Sequence, residues 1–98
     1  MGLKKITKHY TPEAKTLIQK LAPEIKKPLR ALTDELLENP KLGKELKDQL
    51  KGFRSARYSH YRVIYKFKEK EQKIIIYYLG LRKNVYQLFE KILSDYKE

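Results

Sequence analysis

The chain has 98 residues, 41% hydrophobic and 36% charged, and its 23 Lys+Arg against 12 Asp+Glu leave a net charge of +11. That length supports one domain over residues 1–98 with a single modest core, and the apolar fraction argues against wholesale disorder. The lack of Cys excludes disulfides and thiolate metal or redox chemistry, no apolar run approaches the roughly 18 residues of a membrane span, and the N-terminus has no apolar signal core.

Residues 3–10 alternate loosely and predict a short strand. Thr11-Pro12 is a helix start, a hydroxyl cap followed by Pro at the first helical position. Ala14, Leu17, Ile18 and Leu21 then recur at helical spacing. Pro23 ends that helix and can open a second, marked by Ile25, Leu29, Leu32, Leu36 and Leu37 and stopped by Asn39-Pro40. Pro28 removes one hydrogen bond inside it, so the second helix either kinks or begins there. The pair predicts an antiparallel helical hairpin. Residues 41–52 are polar and Lys-rich and read as a loop with a turn around Lys44–Leu50.

The period then changes. Phe53–Tyr58, Tyr61–Lys68 and Lys73–Leu79 are rich in β-branched and aromatic residues and separated by short linkers, which predicts an antiparallel three-stranded meander. Ile74–Leu79 is apolar on both faces, so it is expected at the sheet centre, covered on both sides and broken by Gly80. Asn84 can cap a last helix from Val85 to about Tyr96, whose stripe is Leu88, Phe89, Ile92 and Leu93. The order is that of an α+β fold: N-terminal strand, helical hairpin, three-stranded meander and C-terminal helix.

Charge is concentrated in the second half. Between Gln49 and Phe89 stand Lys51, Arg54, Arg57, Arg62, Lys66, Lys68, Lys70, Lys73, Arg82 and Lys83, against only Glu69 and Glu71, so this stretch carries +8 of the net +11. A small cytosolic domain facing a polyanion or an acidic protein is expected. Lysines alone would read as a solvated basic surface. Four of the five arginines and six of the eight tyrosines also lie here, and guanidinium forks grip phosphates while phenol rings stack on bases. If Ser59-His60 is the tip of a hairpin, Arg57 faces Arg62 and Tyr58 faces Tyr61. Two arginines side by side repel, which suits an anion held between them; otherwise one splays into solvent or pairs with an acid from elsewhere.

Several chemistries find no support. Neither GxGxxG nor GxxxxGK[ST] occurs, HExxH is absent, and His9 and His60 alone cannot hold zinc, so no cofactor or metal is expected. Phosphoryl chemistry remains available. RNA can be cut by its own 2′-OH attacking the adjacent phosphate if the protein holds the phosphate, stabilises its growing charge and moves protons. Arginines serve the first two needs; His60, a tyrosine such as Tyr86 or a lysine could serve the third.

Leu50-Lys51-Gly52-Phe53-Arg54-Ser55-Ala56-Arg57-Tyr58-Ser59-His60-Tyr61-Arg62-Val63-Ile64-Tyr65, followed by Leu79-Gly80-Leu81-Arg82-Lys83-Asn84-Val85-Tyr86, resembles the RelE/ParE superfamily of bacterial and archaeal toxins. The resemblance implies a RelE-like microbial RNase-type fold and a toxin held inactive by a cognate antitoxin, RelB-like, acidic or bearing an amphipathic helix. In the RelE branch the toxin enters the ribosome and cleaves mRNA. Carried over by position, Arg57, Arg62 and Arg82 form the phosphate group and Tyr86 assists as base or by stacking. Lys51, Arg54, Lys83 and His60 would be auxiliary RNA contacts. Leu81 stands where many members have His, and Ser55 where some ribonucleases carry a strand Lys or Arg. The ParE branch shares the fold but poisons DNA gyrase, and a catalytically inactive RNA-binding member is a third option. Retained Arg62, Arg82 and Tyr86 favour the RelE-type activity.

Overall fold

The computed structural model describes residues 5–96. Leu3 and Lys4, the first residues of the expected N-terminal strand, lie outside them. The elements are β1 (Thr7–Tyr10), α1 (Pro12–Gln19), α2 (Pro23–Glu38), β2 (Lys44–Glu45), a short 3-10 turn (Asp48–Leu50), β3 (Arg54–Tyr58), β4 (Tyr61–Lys68), β5 (Lys73–Leu81) and α3 (Val85–Tyr96). The strands form one sheet in the order β1-β5-β4-β3-β2. β1 runs parallel to β5, and every other neighbour is antiparallel. The α+β architecture expected from the sequence is the one observed.

Local chemistry sets the element boundaries. The Thr11 hydroxyl accepts the Ala14 N–H at 3.1 Å, and Pro12 occupies the first helical position. The same hydroxyl donates to the Tyr77 carbonyl at 3.2 Å, which fastens the start of α1 to β5. α2 begins at Pro23 and runs through Pro28. Pro28 has no N–H to offer the exposed Glu24 backbone, yet the buried stripe of Leu29, Leu32, Thr33 and Leu36 keeps the helix continuous.

Three expectations are corrected. Residues 41–52 are not all loop: Lys44 and Glu45 form an edge strand paired with Ser55 and Arg54. Gly43 makes this possible, because a Cβ there would lie 2.7 Å from the Tyr65 ring and 2.9 Å from the Ser55 backbone. Gly80 does not break β5, which continues to Leu81 with Gly80 opposite Arg62. The core is not single but divided by the sheet.

On one face α1 and α2 cover Ala56, Val63, Tyr65, Ile74, Ile76 and Leu79. On the other, Val85 and Phe89 of α3 pack on Leu50, Phe53, Ile64 and Tyr78. β5 serves both faces through a bulge. Ile64 pairs with Tyr78 and Tyr65 with Ile76, so Tyr77 is the extra residue. The bulge breaks strict alternation and sends Tyr77 and Tyr78 to the α3 face together. There Phe53 meets Tyr77 and Phe89 edge-on, both at 5.0 Å, and Tyr78 stacks on Phe89 at 5.6 Å.

Candidate functional site

β3 and β4 join through a tight turn whose Ser59 has φ 55°. The register is the one the turn implies: Arg57 faces Arg62 and Tyr58 faces Tyr61. Residues two apart on a strand share a face, so Arg57 lies on the side of Ser55 and Arg62 on the side of Ile64. Past the end of β5, the Arg82 N–H donates to the His60 carbonyl at 2.7 Å and ties that loop to the hairpin tip. Tyr86 is the second residue of α3, and its phenol lies 2.8 Å from the Ser55 hydroxyl.

These constraints bring Arg57, Arg62, Arg82 and Tyr86 to one groove of about 700 Å³ at the open part of the β3 edge, with Lys44 and Ser55 beside them. α2 and the segment before β2 contribute Leu32, Glu35 and Leu42. The groove therefore holds four cationic side chains and a single acid. Among the described residues no carboxylate lies within salt-bridge distance of Arg57, Arg62 or Arg82. Arg62 is half-buried and donates through Nη1 to the Ser59 carbonyl at 3.1 Å and the Tyr61 carbonyl at 2.9 Å. Those bonds aim the guanidinium without neutralising it. Such a cluster suits a phosphate, since each planar fork can offer two N–H groups to two oxygens.

The four auxiliary residues fall elsewhere. Arg54 donates to the Gly43 carbonyl at 2.6 Å and the Lys41 carbonyl at 3.4 Å, with Glu45 at 3.4 Å, so it staples the β2 edge. Lys51 lines a separate depression with Arg54 and Asp48. Lys83 and His60 are exposed, and neither lines the groove. Sequence reasoning missed Lys44, because β2 was hidden in a Lys-rich stretch. It also missed Glu35, because a charge on the outer side of an amphipathic helix looks like solvated surface. Gly43 immediately before Lys44 was the available signal for a close backbone approach.

The scaffold beneath the groove is fixed by Tyr65. It is fully buried; its hydroxyl donates to the Pro40 carbonyl at 2.7 Å and accepts the Gly43 N–H at 2.9 Å. Burial pushes this phenol above its ordinary value, against smaller downward pulls from the Gly43 N–H and the Arg54 charge.

The model of the ParE toxin of the type II toxin–antitoxin system parDE matches residues 2–86. No curated protein matches the chain. Among solved structures, it resembles a chain of the toxin–antitoxin complex RelBE2 from Mycobacterium tuberculosis with TM-score 0.75 and 27% identity, covering 81% of this chain and 100% of that one. A chain of the archaeal RelE–RelB complex from Pyrococcus horikoshii gives TM-score 0.65 at 22% identity, covering 81% and 97%. The isolated E. coli RelE toxin gives TM-score 0.70 at 16% identity, covering 93% and 98%, a likeness of fold alone. The fold and these matches define the class, a toxin of a type II toxin–antitoxin system within the RelE/ParE superfamily. Within it, the chain belongs to the ParE toxin family.

Proposed function

We propose that this toxin is a ribosome-dependent mRNA endoribonuclease. The observation that carries the reading is the convergence of Arg57, Arg62 and Arg82 with Tyr86 in one groove, with no carboxylate among the described residues within salt-bridge distance of the three arginines. In this reaction the substrate 2′-oxygen forms a bond to phosphorus and the bond to the 5′-oxygen breaks, leaving a 2′,3′-cyclic phosphate and a 5′-hydroxyl. The 2′-OH gives up a proton and the departing 5′-oxygen receives one. The three arginines hold the phosphate and stabilise the charge that builds on its oxygens. Tyr86, the phenol that lines that groove, moves the proton or stacks on the neighbouring base.

The test is primer extension on mRNA translated with and without the toxin. Arg62→Ala and Arg82→Ala each abolish cleavage, whereas Lys27→Ala on α2 leaves it intact. Unchanged cleavage in both arginine variants would sink the reading.

A second reading, a gyrase poison without nuclease activity, is favoured by the ParE family match and by Ser55 and Leu81 at positions where charged or imidazole side chains are common in ribonucleases of this superfamily. It predicts inhibited supercoiling with mRNA left whole, so an untouched gyrase assay removes it. In either case a cognate antitoxin, RelB-like, acidic or bearing an amphipathic helix, docks on the helical hairpin and sheet and covers the basic groove. The M. tuberculosis and P. horikoshii relatives in toxin–antitoxin complexes support that partner class. Co-expression with the neighbouring open reading frame and size exclusion tests it, and two separately eluting proteins would refute it.

A further inference from the structure

Ser55 is 8% exposed, and its hydroxyl pairs with the Tyr86 phenol at 2.8 Å inside the arginine groove. We propose that Ser55 is the positioning residue of this site, fixing the place of the Tyr86 oxygen. The inference rests on the RNA-cleavage reading above and deepens it.

Backbone constraint makes Ser55 suited to the task. It is paired on both sides, with Lys44 of β2 and with Ile64 of β4, so its Cα–Cβ direction is set by two ladders. A hydroxyl on so short a side chain has little freedom left. Tyr86 is different. It sits in the first turn of α3, is half-buried, and borders open groove. Its neighbours Val85 and Phe89 anchor the helix at 0% and 2% exposure, but neither dictates where the phenol oxygen points. The Ser55 hydroxyl does so. If Ser55 donates, the Tyr86 O–H is free to give its proton to an oxygen of the bound phosphate. If Ser55 accepts, the Tyr86 lone pairs face the groove. Either way the phenol oxygen is held at one place beside the substrate, 2.8 Å from the Ser55 hydroxyl.

A serine serving only as packing in this wall would tolerate Ala with little consequence. The test separates the two roles. In wild type with 3-fluorotyrosine at position 86, the fluorine resonance is a single narrow line. In Ser55→Ala it shifts or broadens, and in Ser55→Thr it returns. In the cleavage assay Ser55→Ala lowers kcat by up to about a hundredfold, with the affinity for a short RNA unchanged and Ser55→Thr restoring most of the rate. In a Tyr86→Phe background the same substitution costs nothing further. An unchanged fluorine line in Ser55→Ala overturns the proposal. So does a fall in rate and RNA affinity together with no rescue by Thr. A wild-type toxin that cleaves no mRNA would sink the nuclease reading instead, and the fluorine spectra would still decide whether Ser55 positions Tyr86.

Discussion

At the residue scale, Tyr65 connects the core to the groove. Its ring is buried under the helical hairpin, while its hydroxyl bridges Pro40 and Gly43 and so places β2. Tyr65→Phe keeps the ring and strands both partners, which costs about 1–3 kcal/mol of stability in chemical denaturation. The pH dependence follows from the raised phenol. Below about pH 10 both folded and unfolded states hold the proton, and the contribution is fully present. Above that, the unfolded chain releases its proton first, so stability falls until the folded phenol ionises as well. Wild type therefore shows an alkaline loss of stability that is smaller in Tyr65→Phe; equal slopes in urea melts at high pH would contradict this. Gly43→Ala acts on the same joint from the other side. Its methyl meets the Tyr65 ring and the Ser55 backbone, so it disturbs β2 and, with it, Lys44.

At the element scale, Thr11 joins two structures the sequence shows as unrelated. Its hydroxyl caps α1 and also reaches the Tyr77 carbonyl at the β5 bulge. Thr11→Ala loses both, and its cost falls at the upper end of the cap range, about 2 kcal/mol, read as a lowered denaturation midpoint. Thr11→Ser retains the bonds and most of the stability. The cap itself was legible in the dipeptide Thr11-Pro12, as were both hairpin helices, the β3–β4 register and α3. The bulge was not, because Ile74–Leu79 is apolar on every position and so carries no alternation to interrupt. β2 was not legible either, since an edge strand of two charged residues has no pattern of its own and exists only because Gly43, Arg54 and Tyr65 hold it. Arg57 and Arg62 could be placed opposite each other from their register, whereas Arg82 was named through the family resemblance. Arg54 could not be told from them, because only the pleat separates an arginine aimed at the groove from one stapling an edge.

At the scale of the whole molecule, the net charge of +11 divides into a convergent site and a diffuse field. Lys51 and Lys83 belong to the field, exposed and outside the groove. One phosphate held by the three arginines contributes about −0.7 to the log–log salt slope for single-stranded RNA, and the surrounding lysines steepen it. Arg82→Ala weakens binding of a short RNA in fluorescence anisotropy, and Lys27→Ala leaves it where it was. An affinity that ignores Arg82 would remove it from the set of direct phosphate contacts.

The parallel pairing of β1 with β5 has a consequence for synthesis. Its partners are 66 positions apart, as Thr11 and Tyr77 are, whereas β3 and β4 meet across a tight turn. A growing chain can close the β3–β4 hairpin early, but β1 has no strand to pair with until β5 has emerged. Arg82 and Tyr86 follow still later. A prematurely terminated product that stops before β5 thus carries Arg57 and Arg62 on an incomplete sheet, without the strand that orders it or the residues that complete the groove. Such fragments lack the complete groove on which the proposed activity depends, so the order of the chain reserves that groove for finished copies.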